Sequence, residues 1–424
     1  MKVLTVLGVR RVLAVLVPMV LMVLGVLVPR AASAQTSSID PRIVKMIESI
    51  SEERMQQLLQ KLSSFKTRNT CSDPKAPDSI GAARQWIFDE LTRTSPKLQV
   101  SFDTHQLETI RSCQGAIELR NVMAVLPGKS PRRIYVSGHY DSLNLGTGGQ
   151  QTSNSGRGGQ GAQGAQDAAP GGRGGAPNAP QGTAPQGTQQ AAAGGAPGGR
   201  GAGGGQQRPP RDPNIIAPGA NDDGSGTVLS MELARVFAES GIEFDATLVF
   251  MTVAGEEQGL IGAGAHAKKA KAEKTPIQAW FNNDIVGGSR GGDGITDGAT
   301  IRIYSEGPED SPSRALAMFA ARIGGAYVPS HRVRLMARRD RFSRGGDHSA
   351  LTAEGFAAIG FRESRENYSK QHGPNDTIDG VDFRYLAERA GECRRHGDAG
   401  PGAAPARGRV AARPADDRSP AVRL

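Results

Sequence analysis

The sequence predicts an α/β fold: a three-layer αβα sandwich around a mostly parallel, mixed central sheet. Three observations carry this. From Thr227 onward, segments of helical period alternate with short apolar runs. Those runs are apolar on both faces, as strands covered by helices on each side must be. The runs of the middle region also end in His, Asp or Glu, and the carboxyl ends of the strands are where an open α/β sheet places its site.

The elements follow in order. Ser51 caps a helix with Glu52 and Glu53 in its first turn and Met55, Leu58, Leu59 and Leu62 on one face. The helix "DSIGAARQWIFDEL" buries Ile80, Ala83, Ile87 and Leu91. Leu98, Val100 and Phe102 alternate as a strand, and "NVMAVLPG" and "RIYVSGHYDS" are further strands. The helix "TVLSMELARVFAES" then leads to the strand "ATLVFMTVAG", and "GLIGAGAHAKKAKAE" leads to "IQAWFNNDIVG". The strand "TIRIYSEG" leads to the helix "SPSRALAMFAARIGG". "FAAIGFRES" is a late strand, and a last helix starts near Val381.

The chain divides as a leader over 1–34, one catalytic domain over 35–392 and a tail over 393–424. The leader has a basic start, an apolar stretch from Val12 to Val28, and Ala32-Ser33-Ala34 before Gln35, the pattern of a cleaved secretory signal. The other reading is an uncleaved anchor, but Pro18 and Gly25 weaken a membrane helix there. Cleavage after Ala34 predicts an exported protein, periplasmic or extracellular, with no membrane contact once mature. Residues 146–214 hold no Val, Leu, Ile, Met, Phe, Tyr or Trp. Such a segment buries too little to offset its ordering entropy and reads as a disordered insertion. It either shades the site entrance or has no role, since surface loops accept length cheaply. The Arg-, Ala-, Gly- and Pro-rich tail is either disordered or the product of a frameshift near Ala390 that cuts short the last helix.

The formal charge of +9 suggests a nucleic-acid binder until it is divided up. The leader and the tail carry +4 each and the glycine-rich segment +3, which leaves −2 for the remainder. Nucleic acid is therefore not an expected partner. Cys71 and Cys113 either pair in an oxidising compartment or remain two free thiols. With Cys393 they are too scattered for a zinc–thiolate site.

The chemistry-bearing residues sit at the strand ends. "GHYDS" supplies His139 and Asp141, "PGANDDGSG" supplies Asp222, "AGEEQG" supplies Glu256 and Glu257, "NNDIVG" supplies Asp284, and "KQHGPNDT" supplies His372. One Asp after a strand is usually a turn former or cap. Several strand ends converging on carboxylates and imidazoles are costly to desolvate unless a metal neutralises them. Imidazole and carboxylate ligands without thiolates suit hydrolytic zinc. Two His, two terminal carboxylates and one bridging carboxylate match a two-metal site, with one carboxylate left as base.

In this order the motifs resemble peptidase family M28, the secreted dizinc aminopeptidases, over about residues 50–390 apart from the insertion. The resemblance implies that family's zinc-peptidase fold and two zinc ions. His139 and Asp284 would hold one zinc, Glu257 and His372 the other, and Asp222 would bridge them. Glu256 would be the general base, and Asp141 would orient the ligand imidazole. Peptides with a free N-terminus would be the substrates. A related dizinc dipeptidase or amidohydrolase, and a non-catalytic receptor-like domain on the same fold, are the alternatives. In "RRDRFSRGGDHSALTAEG", Arg344, Asp347 and His348 either line the pocket or, for Asp347, cap a helix. Tyr368 is placed to donate to the oxyanion. The separation of 83 in residue number between His139 and Asp222, filled by the insertion, is the main departure from the family pattern.

Overall fold

The computed structural model describes residues 39–110, 113, 115–146, 212–341 and 344–389. The leader, the tail and all of the insertion except its ends lie outside them.

Three helices open the described chain: α1 (Pro41–Glu48), α2 (Glu52–Ser63) and α3 (Ile80–Thr94). Ser51 caps α2 through a bond from the Arg54 amide, and Met55, Leu58, Leu59 and Leu62 are buried, as the apolar spacing requires. Helix α1 was not expected; it is eight residues long and buries only Met46 and Ile47. The later elements are β1 (Gln99–Leu107), β2 (Ile117–Leu126), β3 (Ser130–His139), α4 (Ser225–Glu239), β4 (Ala246–Val253), α5 (Ile261–Ala272) and β5 (Ile277–Asn283). They continue with β6 (Thr300–Ser305), α6 (Pro312–Tyr327), β7 (Arg332–Met336), α7 (His348–Ala353), β8 (Ala358–Glu363) and α8 (Phe383–Arg389).

Among the described residues the strands form one sheet in the order β1-β2-β4-β3-β5-β8-β6-β7. The central run β4-β3-β5-β8 is parallel throughout. The β1–β2, β2–β4 and β8–β6 pairings are antiparallel, and β6–β7 is parallel at the far edge. Adjacent residues point to opposite faces. Leu248 and Phe250 of β4 join the core beneath α2, α3, α4 and α6, while Val249, Met251 and Val253 join the core beneath α5 and α7. Helices thus cover both faces, which makes the third layer.

The register brings the strand ends to one level. His139 pairs with Val253 of β4, and Ser137 pairs with Asn282 of β5. The chain therefore leaves β3, β4 and β5 beside the same point. Two glycines let α4 descend onto that point. A side chain on Gly138 would strike the Gly226 backbone, and one on Gly226 would strike the Asn283 carbonyl. No described helix is long and apolar enough to cross a membrane.

Candidate active site

His139 is the last residue of β3 and is buried. The Glu256–Glu257 pair is not in a strand. β4 ends at Val253, and Gly255, at φ +74°, turns the chain so that both glutamates fall in the following turn. Asp141 holds these pieces together. Its Oδ1 accepts from the Glu256 amide and its Oδ2 from the Glu257 amide, each at 3.2 Å. Its Oδ1 also lies 3.4 Å from His139 Nδ1, and its backbone oxygen lies 3.1 Å from the same nitrogen. Thr70 Oγ1 donates to Oδ2 at 3.2 Å.

Asp222 lies in the turn Ala220–Gly224 that leads into α4, with its own backbone outside the helical region. Its Oδ1 is 3.4 Å from His139 Nε2 and its Oδ2 is 3.0 Å from His372 Nε2. A second carboxylate, Asp223, falls in the same "NDD" turn, and the sequence assigned it no role. It accepts from the His139 amide at 2.9 Å, the Gly226 amide at 2.9 Å and the Ile285 amide at 3.1 Å. Asp223 thus ties together β3, α4 and the end of β5 through backbone groups. Asp376 was also missed. Its two oxygens accept from the Asn221 and Asp222 amides at 3.0 and 2.9 Å, and burial followed by the Asp222 charge pushes its carboxyl up to about 7.

Asp284 follows β5 and faces a buried arginine, Arg362 of β8, in a two-pronged pair. A carboxylate oxygen has more than one lone pair, so this fork fixes the orientation of Asp284 without using up its donor capacity. Its Oδ1 is 3.8 Å from His139 Nε2. His372 adopts a left-handed φ of +53°, uncommon for a non-glycine residue, and its Nε2 lies 3.1 Å from Glu257 Oε2. Burial alone would lower both imidazoles, but the carboxylates around them, led by Glu256 for His139 and Glu257 for His372, raise them well above the ordinary histidine value.

Two groups of ligand atoms result: Asp222, Glu257 and His372, and His139, Asp223 and Asp284. His139 Nε2, Asp222 Oδ2 and Glu257 Oε1 are buried and make no hydrogen bond. Buried polar atoms left without hydrogen-bond partners in the middle of a cluster of carboxylates fit a cation between them. In the first group each residue offers a side chain with no backbone obligation. In the second, Asp223 is already committed to three amides, which leaves His139 and Asp284 as the donors.

The family model for peptidase family M28 matches residues 207–392. A protein of Leptosphaeria maculans named a "probable zinc metalloprotease" is 30% identical over 382 residues, covering 82% of this chain and 74% of the relative. The chain belongs to peptidase family M28. A second "probable zinc metalloprotease", from Pyrenophora teres, is 29% identical over 384 residues, and the match covers 66% of its length. Among solved structures, the LapA aminopeptidase of Legionella pneumophila is similar in fold, with a TM-score of 0.54 at 16% identity over 82% of this chain and 72% of that one. A glutaminyl cyclase of Fimbriiglobus ruber is similar to the same degree, at TM-score 0.54 and 16% identity over 81% of this chain and 93% of that one. Membership makes the chain a zinc metallopeptidase, a hydrolase of peptide bonds.

The residues around this M28 site divide. Asp347 is fully buried at the N-cap position of α7 with neither carboxylate oxygen hydrogen-bonded, so its side chain does not cap the helix. Burial, reinforced by Asp141 and Asp284 against His139, pushes it up to about 8. His348, expected at the pocket, is buried and packs its ring on Gly360, with Nε2 2.8 Å from the Arg339 carbonyl. It supports β8 from beneath. Arg344 lies over the Tyr368 ring at 4.6 Å. Tyr368 remains 46% exposed. Cys71 and Cys113 form a disulfide, which fixes the segment carrying Arg68 and Thr70.

Proposed function

We propose that the protein is an exported aminopeptidase with two zinc ions, removing residues from peptides with a free N-terminus. The observation that carries this reading is Asp222, one carboxylate between two imidazoles, 3.4 Å from His139 Nε2 and 3.0 Å from His372 Nε2. That arrangement supports the reading in which Asp222 would be shared between the two ions. His139, with Asp284, would hold one zinc, and His372, with Glu257, the other. Bound there, zinc would supply a Lewis acid for the scissile carbonyl and would acidify the attacking water.

Glu256 is the base. Its Oε2 lies 3.9 Å from His139 Nε2, and it belongs to neither ligand group. Burial, reinforced by Asp284 and Glu257 and opposed by His139, raises its carboxyl well above the ordinary value. A carboxylate so raised accepts a proton from water and returns it to the leaving amine. Asp141 holds the amide of Glu256 and so sets where the base stands. The likeness to glutaminyl cyclases is one of fold; two groups of ligand atoms rather than one favour the hydrolase. Export rests on the leader pattern, and sequencing of the mature N-terminus tests it: Gln35 first supports it, and an intact Met1 refutes it.

The functional test is amino-acid release from unblocked and N-acetylated peptides, with and without chelator. Release from the unblocked peptide alone, abolished by chelator and restored by zinc, is the expected result. Equal cleavage of the acetylated peptide overturns the aminopeptidase reading. Metal analysis giving one zinc per chain at saturation overturns the two-ion reading.

A further inference from the structure

Beside the metal ligands stands a cluster of arginines that the reaction as described leaves unused. Glu366 is a buried carboxylate paired with both Arg302 and Arg341. Its Oε2 also accepts from Gln371 Nε2 at 3.2 Å. Gln371 in turn accepts from Arg344 through Oε1 at 2.6 Å. The Arg344 guanidinium therefore reaches the Glu366 carboxylate only through an amide. Among the described residues no carboxylate pairs with it, so its charge is balanced by no protein group in contact.

The place of Arg344 is set from both sides. The Arg344 carbonyl accepts from Arg341 Nε at 3.1 Å, and the carbonyl of Gly345 accepts from Arg362 at 2.6 Å. A side chain on Gly346 would lie 2.7 Å from Asp284 Oδ2, so this segment runs directly against a site carboxylate. At its other end the guanidinium bonds the residue preceding His372. Arg344 thus spans from the Asp284 side of the site to the His372 side. It lies on the half-exposed ring of Tyr368, where a substrate can reach it. A half-buried guanidinium presented in this way, with a neutral amide partner and a flat aromatic support, is built to receive a planar anion in a two-pronged bond.

We propose that Arg344 anchors a carboxylate of the substrate, making this a peptidase for acidic or very short substrates. The carboxylate is either the side chain of an N-terminal Glu or Asp, or the free C-terminus of a dipeptide. The inference rests on the aminopeptidase reading and adds the substrate class to it. Gln371 and Tyr368 act as positioning residues for Arg344.

Two matched pairs of substrates separate the sources. Glu-anilide against Gln-anilide reads a side-chain carboxylate, and Leu-Leu against Leu-Leu-amide reads a terminal one. The zinc-loaded protein should favour the acid in one pair by at least about tenfold in kcat/KM, the size of one charge-assisted pair. Arg344→Met should bring that ratio to about one, and Arg344→Lys should retain part of it because it keeps charge but not the fork. Ratios near one in both pairs for the native protein, or an unchanged ratio in Arg344→Met, overturn the proposal while leaving the aminopeptidase reading intact. If no unblocked substrate is turned over, that reading fails, and calorimetry on the zinc-loaded Glu256→Gln protein decides the anchor separately. Leu-Leu binding no tighter than its amide, together with glutamate no tighter than glutamine, then overturns it.

Discussion

Replacing Arg68 with methionine keeps the unbranched stem of a fully buried side chain and removes all its donors. Arg68 donates to four backbone carbonyls: Tyr140 at 2.6 Å, Pro218 at 2.6 Å, Gly219 at 2.8 Å and Leu62 at 3.3 Å. Tyr140 follows His139 on the near side of the glycine-rich insertion, and Pro218 and Gly219 precede Asp222 on the far side. One guanidinium therefore fastens the two chain segments that bring these ligands together. Each buried acceptor left unpaired costs about 1–3 kcal/mol, and breaking a buried charged network costs about 3–5 kcal/mol in all. Because the loosened segments carry His139 and Asp222, part of the loss should appear in metal binding. At about 1.4 kcal/mol per tenfold, a loss of about 3 kcal/mol is about a hundredfold in zinc affinity. Competition with a chromogenic chelator measures the affinity, and urea unfolding of the zinc-free protein measures the stability. Arg68→Lys should fall between the two proteins. A methionine variant within about 1 kcal/mol in stability and threefold in zinc affinity would refute the reasoning.

Glu256→Gln should lower kcat by about a hundredfold to ten-thousandfold with bound zinc unchanged, since this residue lies in neither ligand group; loss of zinc in the variant would contradict the role. Burial raises the Glu366 carboxyl, but Arg341 and then Arg302 outweigh it and bring it from 4.5 down to about 2. A depressed folded value means stability that is present above pH 4.5 and lost as pH falls towards 2, on the order of 3 kcal/mol. Unfolding curves between pH 6 and 3 should therefore steepen less in Glu366→Gln, and identical slopes would count against this. Gly226→Ala places a methyl against the Asn283 carbonyl and 2.7 Å from both Asp223 oxygens, which should destabilise by about 1–3 kcal/mol; an unmoved urea midpoint would show that the close approach is not needed.

The sheet was legible because its strands are apolar runs bounded by turns, and the site was legible because those runs end in charged residues. His139, Glu256, Glu257 and Asp284 come directly at their strand ends, and Asp222, in the turn before α4, and His372, in the loop after β8, complete the pattern. Asp223, Asp376, Arg362 and Arg68 lie outside it. Asp223, Asp376 and Arg68 bond backbone groups from distant segments, and side-chain spacing along a sequence does not record where a remote amide will fall. Arg362 sits in β8 two residues after Gly360, at a position an apolar-run reading assigns to the strand itself. β7 escaped notice because Arg332 and Arg334 break its apolar character, as suits a sheet edge. His348 looked like a site residue because it neighbours Asp347, yet the turn into α7 sends the two side chains to different tasks.

The contacts of Asp141 have a mechanical meaning. One carboxylate ties the amides of Glu256 and Glu257 and the imidazole of His139 to a single point. A small displacement of β3 or β4 carries all three with it, so their mutual spacing is preserved where their absolute position is not. Adjustment to substrates of different shape then falls to the outer residues, Arg344 and Tyr368 among them.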